Sequence, residues 1–265
     1  SDTPVPTDTE VPPDGTPTDT SVPEATPTRT TRPTLTATPT STPTATSEVP
    51  LAWAAYSGGS VPRVAYAGVH GVDATHVWMV GAASKVLFWN GTQLAVQKDT
   101  LADDLALKHV HIYYDGRAYK GYIVGDGATA GTGVVYSTRD GGVNWGRVLL
   151  TNYTDEWRSV SIASNGAGGW LGWMVGNVNG NRLWWTGTGN DWAPQSPGDR
   201  NNRSHEYSDV VVVSATLAYA ISNATTGARI YSWDGTAWSP GPSTAALYDL
   251  DVLSPTQGAA VGKGG

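Results

Sequence analysis

Short apolar segments separated by turn residues recur along most of the chain. One such turn, Thr138-Arg139-Asp140-Gly141-Gly142-Val143-Asn144-Trp145, lies between the apolar segments Val134–Ser137 and Val148–Leu150. Asp-Gly-Gly supplies the left-handed backbone that a tight turn needs, and Trp145 gives the turn an apolar anchor. The pattern predicts antiparallel strands joined by hairpins. Related turns occur at Trp89-Asn90-Gly91-Thr92, at Trp185-Thr186-Gly187 before Trp192, and at Trp233-Asp234-Gly235-Thr236 before Trp238.

Two further patterns recur upstream of each turn. The nearer one is an aromatic or small residue, an aliphatic pair and a small residue, and its copies are Trp78–Gly81, Tyr122–Gly125, Trp173–Gly176, Tyr219–Ser222 and Ala259–Gly262. The farther one is a short alternating strand, anchored at Val69, Val110, Val160, Val210 and Leu250, which are 41, 50, 50 and 40 residues apart. Four short strands in about 40–50 residues are typical of a β-propeller blade. The sequence therefore predicts an all-β, five-bladed β-propeller with complete blades at about 67–101, 105–150, 156–196 and 205–243.

The fifth blade is predicted to combine strands from both ends of the folded part. Residues 247–265 resemble the first half of a blade, and residues 51–68 resemble the second half. Closing the ring in this way removes exposed sheet edges. The same strands could instead pair between molecules, which would give a head-to-tail array. We expect closure within one chain, because it has the smaller entropic demand.

Residues 1–50 differ from the rest of the chain in composition. They hold 11 of the 17 prolines and 17 threonines but no aromatic residue. Alternating Thr and Pro favours an extended polyproline-II-like stem, and residues 51–265 are left for the propeller. Ser/Thr/Pro composition is also typical of dense O-glycosylation. The predicted acceptors are Thr3, Thr7, Thr9, Thr16, Thr18, Thr20, Thr26, Thr28, Thr30, Thr31, Thr34, Thr36, Thr38, Thr40, Ser41, Thr42, Thr44 and Thr46.

Charge and cysteine content narrow the functional classes. The formal net charge of −7 leaves no basic footprint for nucleic acid. No apolar run approaches the roughly 20 residues that span a bilayer. The absence of cysteine excludes disulfides, thiol catalysis and cysteine metal sites. No cofactor is predicted. Four Asn-x-Ser/Thr sequons, at Asn90, Asn152, Asn202 and Asn223, are candidate N-glycosylation sites in a glycosylating host.

The second blade resembles a known repeat. Tyr122-Ile123-Val124-Gly125 followed by the turn at 138–145 is similar to the Asp-box (BNR) repeat, with Thr138, Asp140, Gly142 and Trp145 in the box positions. The form is closest to that of propellers like the photosystem II assembly factor, and the Thr/Pro tract resembles a mucin-like stalk. This resemblance implies a propeller in a secreted setting and does not imply a reaction.

Candidate catalytic residues are few. A glycosidase needs two nearby carboxyl groups, or a tyrosine with an arginine cluster in the sialidase case. The propeller part has two glutamates, Glu156 and Glu206, and its arginines show no repeated placement. We therefore expect that the protein is not an enzyme.

The innermost strands offer a different candidate site. His70, His111 and Asp251 directly follow the anchors of their strands, and equivalent positions of neighbouring blades meet near the axis. These side chains are the types that bind a metal ion or a polar ligand. The alternative is that they line a water-filled channel, and no metal site is assigned.

Together these features predict a non-catalytic extracellular structural protein. Its role would be the subunit of a glycosylated surface filament or coat, with copies of itself and covalent glycans as partners. The first alternative is a stalk-displayed propeller that binds glycan or protein. Exposed tryptophans would suit a glycan ligand, although anchoring of turns explains most of them. The second alternative is a sialidase-like glycoside hydrolase.

Overall fold

The computed structural model describes residues 56, 58, 61–98, 101, 105–150, 155–167, 169–178, 183–189, 191–195, 206–224 and 227–263. These residues form eighteen β-strands and no helix. The strands are β1 (Tyr66–Asp73), β2 (His76–Gly81), β3 (Val86–Trp89), β4 (Leu94–Lys98), β5 (Leu107–Tyr114), β6 (Tyr119–Asp126), β7 (Gly133–Thr138), β8 (Gly146–Arg147), β9 (Asp155–Ser164), β10 (Trp170–Val178), β11 (Leu183–Thr186), β12 (Ala193–Gln195), β13 (Glu206–Ser214), β14 (Leu217–Ala224), β15 (Gly227–Trp233), β16 (Trp238–Thr244), β17 (Leu247–Ser254) and β18 (Gln257–Gly262).

Consecutive strands form separate antiparallel sheets. Four sheets have four strands each: the first blade is β1–β4, the second β5–β8, the third β9–β12 and the fourth β13–β16. The remaining two strands, β17 and β18, form a half-blade. The first strand of each sheet contacts the first strand of the next, from β1 through β5, β9 and β13 to β17. This arrangement confirms the predicted all-β propeller, and four predicted blades coincide with the four-stranded sheets.

A glycine in the second strand of three blades explains one of the sequence patterns. The innermost strand and its partner shift register near this glycine in the first, second and third blades. A Cβ atom there would lie 1.9–2.5 Å from a backbone carbonyl oxygen, which is far inside van der Waals contact. Only glycine fits without displacing the backbone at Gly81, Gly125 and Gly176.

The core lies between blades. Three clusters of buried apolar side chains join the first blade to the second, the second to the third, and the third to the fourth. The anchors Val110, Val160 and Val210 are at most 1% exposed. Val69, the anchor of β1, is by contrast 61% exposed. Its expected partner surface belongs to the half-blade, whose strand β18 is exposed along its whole length.

Several predictions concern residues outside the described ranges. They include the stem at 1–50, its O-glycosylation acceptors, and most of residues 51–60, which belong to the segment 51–68 that the sequence assigns to the last blade. Residues 66–68 of that segment belong instead to β1 of the first blade. Residues 61–64 are described and form no strand; the Val64 N–H donates to the Pro62 carbonyl at 3.1 Å. The number of blades and the closure by N-terminal strands therefore stay predictions. In the described part of the chain, no helix is long and apolar enough to cross a membrane.

Candidate functional site

A cavity of about 630 Å³ lies where the innermost strands converge. Strands β1, β5, β9, β13 and β17 all contribute to its wall. The predicted site residues His70, His111 and Asp251 all line it, so the structure brings them together. Further polar side chains in the wall are His109, Ser159, Ser161, Asp209 and Asp249.

Several of these polar side chains connect neighbouring blades. The free edge of an innermost strand carries unpaired N–H groups, which need acceptors. The Val160 N–H donates to His109 Nδ1 at 3.5 Å, and the Val212 N–H donates to Ser161 Oγ at 3.0 Å. The Leu250 N–H donates to Asp209 Oδ2 at 2.9 Å. Part of the polarity of the cavity wall therefore serves the fold.

The three histidines form a desolvated group. The His70 and His111 rings are tilted by 41° with centroids 4.0 Å apart. Burial lowers the pKa of His70, although a hydrogen bond with the Ile112 backbone opposes this. Burial, and then the neighbouring His70, lower the pKa of His109 to about 4 and that of His111 well below its ordinary value. These shifts favour the uncharged imidazole, which both donates and accepts hydrogen bonds. The buried His111 Nδ1 has no hydrogen-bond partner.

The aspartates of the cavity have contrasting environments. Asp209 is 5% exposed, and burial raises the pKa of its carboxyl group, with the neighbouring Asp249 acting in the same direction. Asp249 and Asp251 are exposed to the cavity. The two cationic side chains of the wall already have partners, because Lys108 pairs with Asp126 at 3.0 Å and Arg158 with Glu206 at 3.3 Å.

His109, Asp209 and Asp249 were not selected from the sequence. Each directly precedes its anchor, whereas the selected residues follow theirs. Successive side chains of a strand point to opposite faces, so the residues directly before and after an anchor share a face. This alternation is the signal that could have identified His109, Asp209 and Asp249. Among the described residues, no group of three or more His, Cys, Asp or Glu side chains is arranged to hold a metal ion.

The turn at 138–145 has a compact hydrogen-bond network. Thr138 Oγ1 donates to Asp140 Oδ1 at 2.9 Å and accepts from the Gly142 N–H at 2.8 Å. Asp140 Oδ1 also accepts from the Asn144 N–H at 2.9 Å, and Trp145 packs against the core between the first two blades. The turn predicted at Trp185-Thr186-Gly187 in the third blade has a related network, in which Thr186 Oγ1 accepts from the Gly189 N–H at 2.8 Å. These networks stabilise hairpins at the outer part of each blade, away from the cavity.

The candidate glycosylation and catalytic residues lie elsewhere. Asn90 is exposed and caps a turn through its side-chain oxygen. Asn223 is half-buried, and its amide donates to Ser208 Oγ at 3.2 Å and accepts from the Leu247 N–H at 3.0 Å. Asn152 and Asn202 lie outside the described residues. Glu206 faces Arg158 across β9 and β13, so the two glutamates do not form a carboxyl pair in the cavity.

Comparison with solved structures agrees with the propeller fold. YCF48 from Cyanidioschyzon merolae is 14% identical over 74% of this chain and 92% of its own, with a TM-score of 0.31. The GH43 endo-arabinanase from Bacillus licheniformis is 11% identical over 70% of this chain and 83% of its own, with a TM-score of 0.41. The GH74 xyloglucanase from Xanthomonas campestris is 15% identical over 62% of this chain and 28% of its own, with a TM-score of 0.43. The chain matches no protein-family model and no curated protein sequence.

These matches confirm one sequence-based prediction and correct another. The resemblance to propellers like the photosystem II assembly factor is confirmed at the level of the fold. The prediction that the protein is not an enzyme is wrong as an exclusion, because the similar propellers include two glycoside hydrolases. Asp251, which was selected from the sequence, lines one cavity together with Asp209 and Asp249. At these identities the likeness shows the fold and assigns no reaction.

Proposed function

We propose that the protein is an extracellular propeller that binds glycan in its axial cavity and is displayed on the Thr/Pro-rich stem. The observation that carries this proposal is the cavity of about 630 Å³, whose wall includes the exposed Asp249 and Asp251 side chains and also His111, whose buried Nδ1 has no hydrogen-bond partner. A buried polar atom without a partner is costly, and a ligand hydroxyl would satisfy it.

The chemistry of the wall favours a neutral ligand that is rich in hydroxyl groups. The carboxylates accept hydrogen bonds and the neutral imidazoles do both, which matches sugar hydroxyls. Tyr248, 60% exposed and part of the same wall, offers an aromatic face for stacking. An anionic ligand is disfavoured, because Lys108 and Arg158 are already paired and the aspartates repel it.

The test is a glycan array probed with the purified full-length chain, followed by calorimetric titration of any bound oligosaccharide. Asp251→Asn is expected to weaken binding about tenfold or more, in line with the loss of a charged hydrogen bond. The matched control is Asp234→Asn, since Asn90 already caps the equivalent turn of the first blade. Absence of binding, or equal affinity of both variants, would overturn the proposal.

The same experiment separates the other candidate functions. Cleavage of a bound oligosaccharide would identify a glycoside hydrolase, because binding alone leaves the sugar intact. The filament or coat subunit predicted from the sequence depends on residues 1–50, so it stays a prediction, together with the secreted setting, the mucin-like stalk, the Asp-box assignment and O-glycosylation. Electron microscopy of native material, with intact mass measured against 27.8 kDa, tests that role directly.

A further inference from the structure

The hairpin that joins the first two strands of a blade is closed by different residue pairs in different blades. The closing pair is Ser214 with Leu217 in the fourth blade and Ser254 with Gln257 in the half-blade. Each serine caps its turn, because its Oγ accepts from the N–H two positions further on, at 3.3 Å and 3.4 Å respectively. A serine at this position is therefore sufficient to form the hairpin.

The first and second blades carry larger side chains at the same place. The closing pair is Asp73 with His76 in the first blade and Tyr114 with Tyr119 in the second. The turn of the second blade is capped by Asp115, whose Oδ1 accepts from the N–H groups two and three positions further on, at 2.9 Å and 2.8 Å. The two tyrosines are therefore not needed as caps of this turn.

Three of these side chains form a ring stack across the two blades, which consists of Tyr114, Tyr119 and His76. The Tyr119 ring contacts both of the others, with its centroid 4.7 Å from that of Tyr114 and 4.3 Å from that of His76. The ring planes are tilted by 37° in the first pair and by 22° in the second. Two further rings support the stack, because Trp78 lies 5.6 Å from Tyr119 and Phe88 lies 5.8 Å from His76.

The Asp73 carboxylate fixes the part of the ring stack that lies at the first blade. Its Oδ1 lies 2.9 Å from His76 Nδ1 and accepts from the Thr75 N–H at 2.7 Å. Its Oδ2 accepts from the Tyr119 hydroxyl at 3.3 Å, which links the two blades. Side chains that are already held in one arrangement lose little conformational entropy when a ligand binds to them. The stack is thus preorganised for binding.

Tyr114 is the exposed end of the ring stack, with 44% of its surface accessible. Within the described residues, the Tyr114 hydroxyl and the Arg117 guanidinium make no hydrogen bond or ion pair. The two hairpins that carry the stack, residues 73–76 and 114–120, have two carboxylates and two cationic side chains, so they carry no net charge when His76 is neutral. An exposed aromatic ring with unused polar groups and no net charge suits a neutral sugar.

The ring stack lies close to the axial cavity but is separate from it. None of its three rings belongs to the wall of that cavity. Tyr114 follows His111, the last cavity residue of β5, by three positions, which is about 10 Å of strand. On β1, Asp73 follows the cavity residue Gly71 by two positions. An oligosaccharide bound in the cavity would therefore need only a few further sugar units to reach the stack.

We propose that the ring stack is a second glycan subsite, in which Tyr114 stacks on the apolar face of a pyranose ring. The choice of a glycan rests on the proposed function of the axial cavity. The subsite narrows the ligand class to oligosaccharides that are long enough to occupy both places. Stacking on a tyrosine requires a flat sugar face, which pyranoses with equatorial hydroxyls provide, as in β-linked chains of glucose or xylose.

Calorimetric titration of the full-length chain with cellohexaose, xylohexaose and the corresponding disaccharides tests the subsite. The wild type should bind a hexasaccharide about tenfold more tightly than its disaccharide, which corresponds to one aromatic stacking contact. Tyr114→Ala should remove this difference, whereas Tyr114→Phe should keep most of it because the ring remains. Trp185→Ala, at a residue 36% exposed on the third blade, is the matched control and should bind like the wild type.

A substitution at Asp73 tests the support of the stack. Asp73→Ser introduces the residue type found at the equivalent position of the fourth blade, so the turn keeps a cap. The carboxylate that contacts both His76 and Tyr119 is lost. Hexasaccharide binding should weaken about threefold, while disaccharide binding should stay unchanged. Thermal melting of every variant shows whether it is folded.

The outcomes separate the ring stack from the axial cavity. Unchanged hexasaccharide affinity in Tyr114→Ala would overturn the subsite, and so would failure of the wild type to bind any of these sugars. Asp251→Asn should weaken the binding of hexasaccharides and disaccharides by the same factor. If only Tyr114→Ala weakens binding, the axial cavity is the wrong site and the subsite stands. Binding of a proline-rich peptide at Tyr114 in place of the sugars would overturn the glycan assignment, because such peptides also dock on aromatic surfaces.

Discussion

Two interfaces between neighbouring blades differ in how far the described side-chain packing extends outward from the axis. Between the third and fourth blades, packing extends from the axis to the outer edge, where Trp173 is fully buried against Trp233 and Trp238. Between the fourth blade and the half-blade, the described contacts are concentrated near the axis. There Asp209 accepts from the Leu250 N–H, while Tyr219 lines a groove of about 320 Å³ between β14, β15 and the half-blade.

The difference separates two tasks in this fold. Polar side chains near the axis hold the innermost strands in register, and they do so also at the half-blade, for which the described residues form no outer strands. The outer strands supply the large apolar area that stabilises one blade on the next. Register and stability therefore depend on different residues, and they respond to different substitutions.

The largest expected effect is at the interface between the third and fourth blades. Trp173→Ala should lower the free energy of unfolding by about 3–5 kcal/mol, because it leaves a cavity among tryptophans. It also removes one of the two indole N–H groups, those of Trp173 and Trp238, that donate to Gln195 Oε1. Chemical denaturation followed by circular dichroism measures this loss. Trp185→Ala, at a residue 36% exposed on the neighbouring strand, is the control and should cost far less. Equal losses for the two variants would mean that packing against the next blade is not what stabilises this interface.

Acid should weaken the interface between the second and third blades near the axis, where His109 accepts from the Val160 N–H. Folding lowers the pKa of His109 from 6.5 to about 4, so the unfolded chain binds more protons between these values. Stability should accordingly fall by about 2–3 kcal/mol as the pH drops from 6.5 to 4. His109→Gln should reduce this loss, since it removes the titrating ring. Denaturation curves at several pH values provide the measurement, and an unchanged acid loss in the variant would assign it to the other histidines.

Local patterns predicted the hairpins well. Turn residues such as Asn90 and Asp234 accept from the backbone N–H groups two and three positions further on, so their spacing alone specifies the turn. The predicted turn at Thr186 differs from the one at Thr138 in its spacing, because Thr186 accepts from the glycine three positions on and Thr138 from the glycine four positions on.

Contacts between blades were far less predictable. His109 meets Val160 and Asp209 meets Leu250 across about 40–50 positions, and the pairing depends on how the sheets curve around the axis. The anchor pattern likewise placed Val69 in the core, although its burial depends on a blade that the described residues leave incomplete. For the same reason the sequence suggested His70, His111 and Asp251 but not the aspartates beside them.

The bridging glutamine offers an intermediate effect. Gln195→Met keeps the volume of the side chain but removes the acceptor shared by the Trp173 and Trp238 indoles, at a cost of about 1–3 kcal/mol. Gln93→Met, at an exposed turn position, is the matched control and should be near neutral. Denaturant unfolding of both variants distinguishes the two. A neutral Gln195→Met would mean that the aromatic contact between Trp173 and Trp238 alone fixes the fourth strand.

The smallest effect is expected near the axis, where Asp209 of the fourth blade accepts from the Leu250 N–H of the half-blade. Its dependence on pH is opposite to that of His109. Burial raises the folded-state pKa of Asp209 above 3.8, so the folded chain binds more protons than the unfolded chain just above that pH. Its contribution to stability is therefore complete in acid and is lost as the pH rises through the folded pKa. Asp209→Asn keeps an acceptor for the Leu250 N–H without a charge, and it should add about 1 kcal/mol at pH 8 relative to pH 4.

Denaturant unfolding of wild type and Asp209→Asn at both pH values measures this difference in stability. Asp234→Asn is the control and should show no such gain. A loss of stability for Asp209→Asn at pH 8 would show that the ionised carboxylate is the better acceptor. The contact between Asp209 and the Leu250 N–H would then be charged, unlike the neutral contact that His109 makes with the Val160 N–H. In that case the two interfaces would differ in chemistry at the axis as well as in packing at the edge.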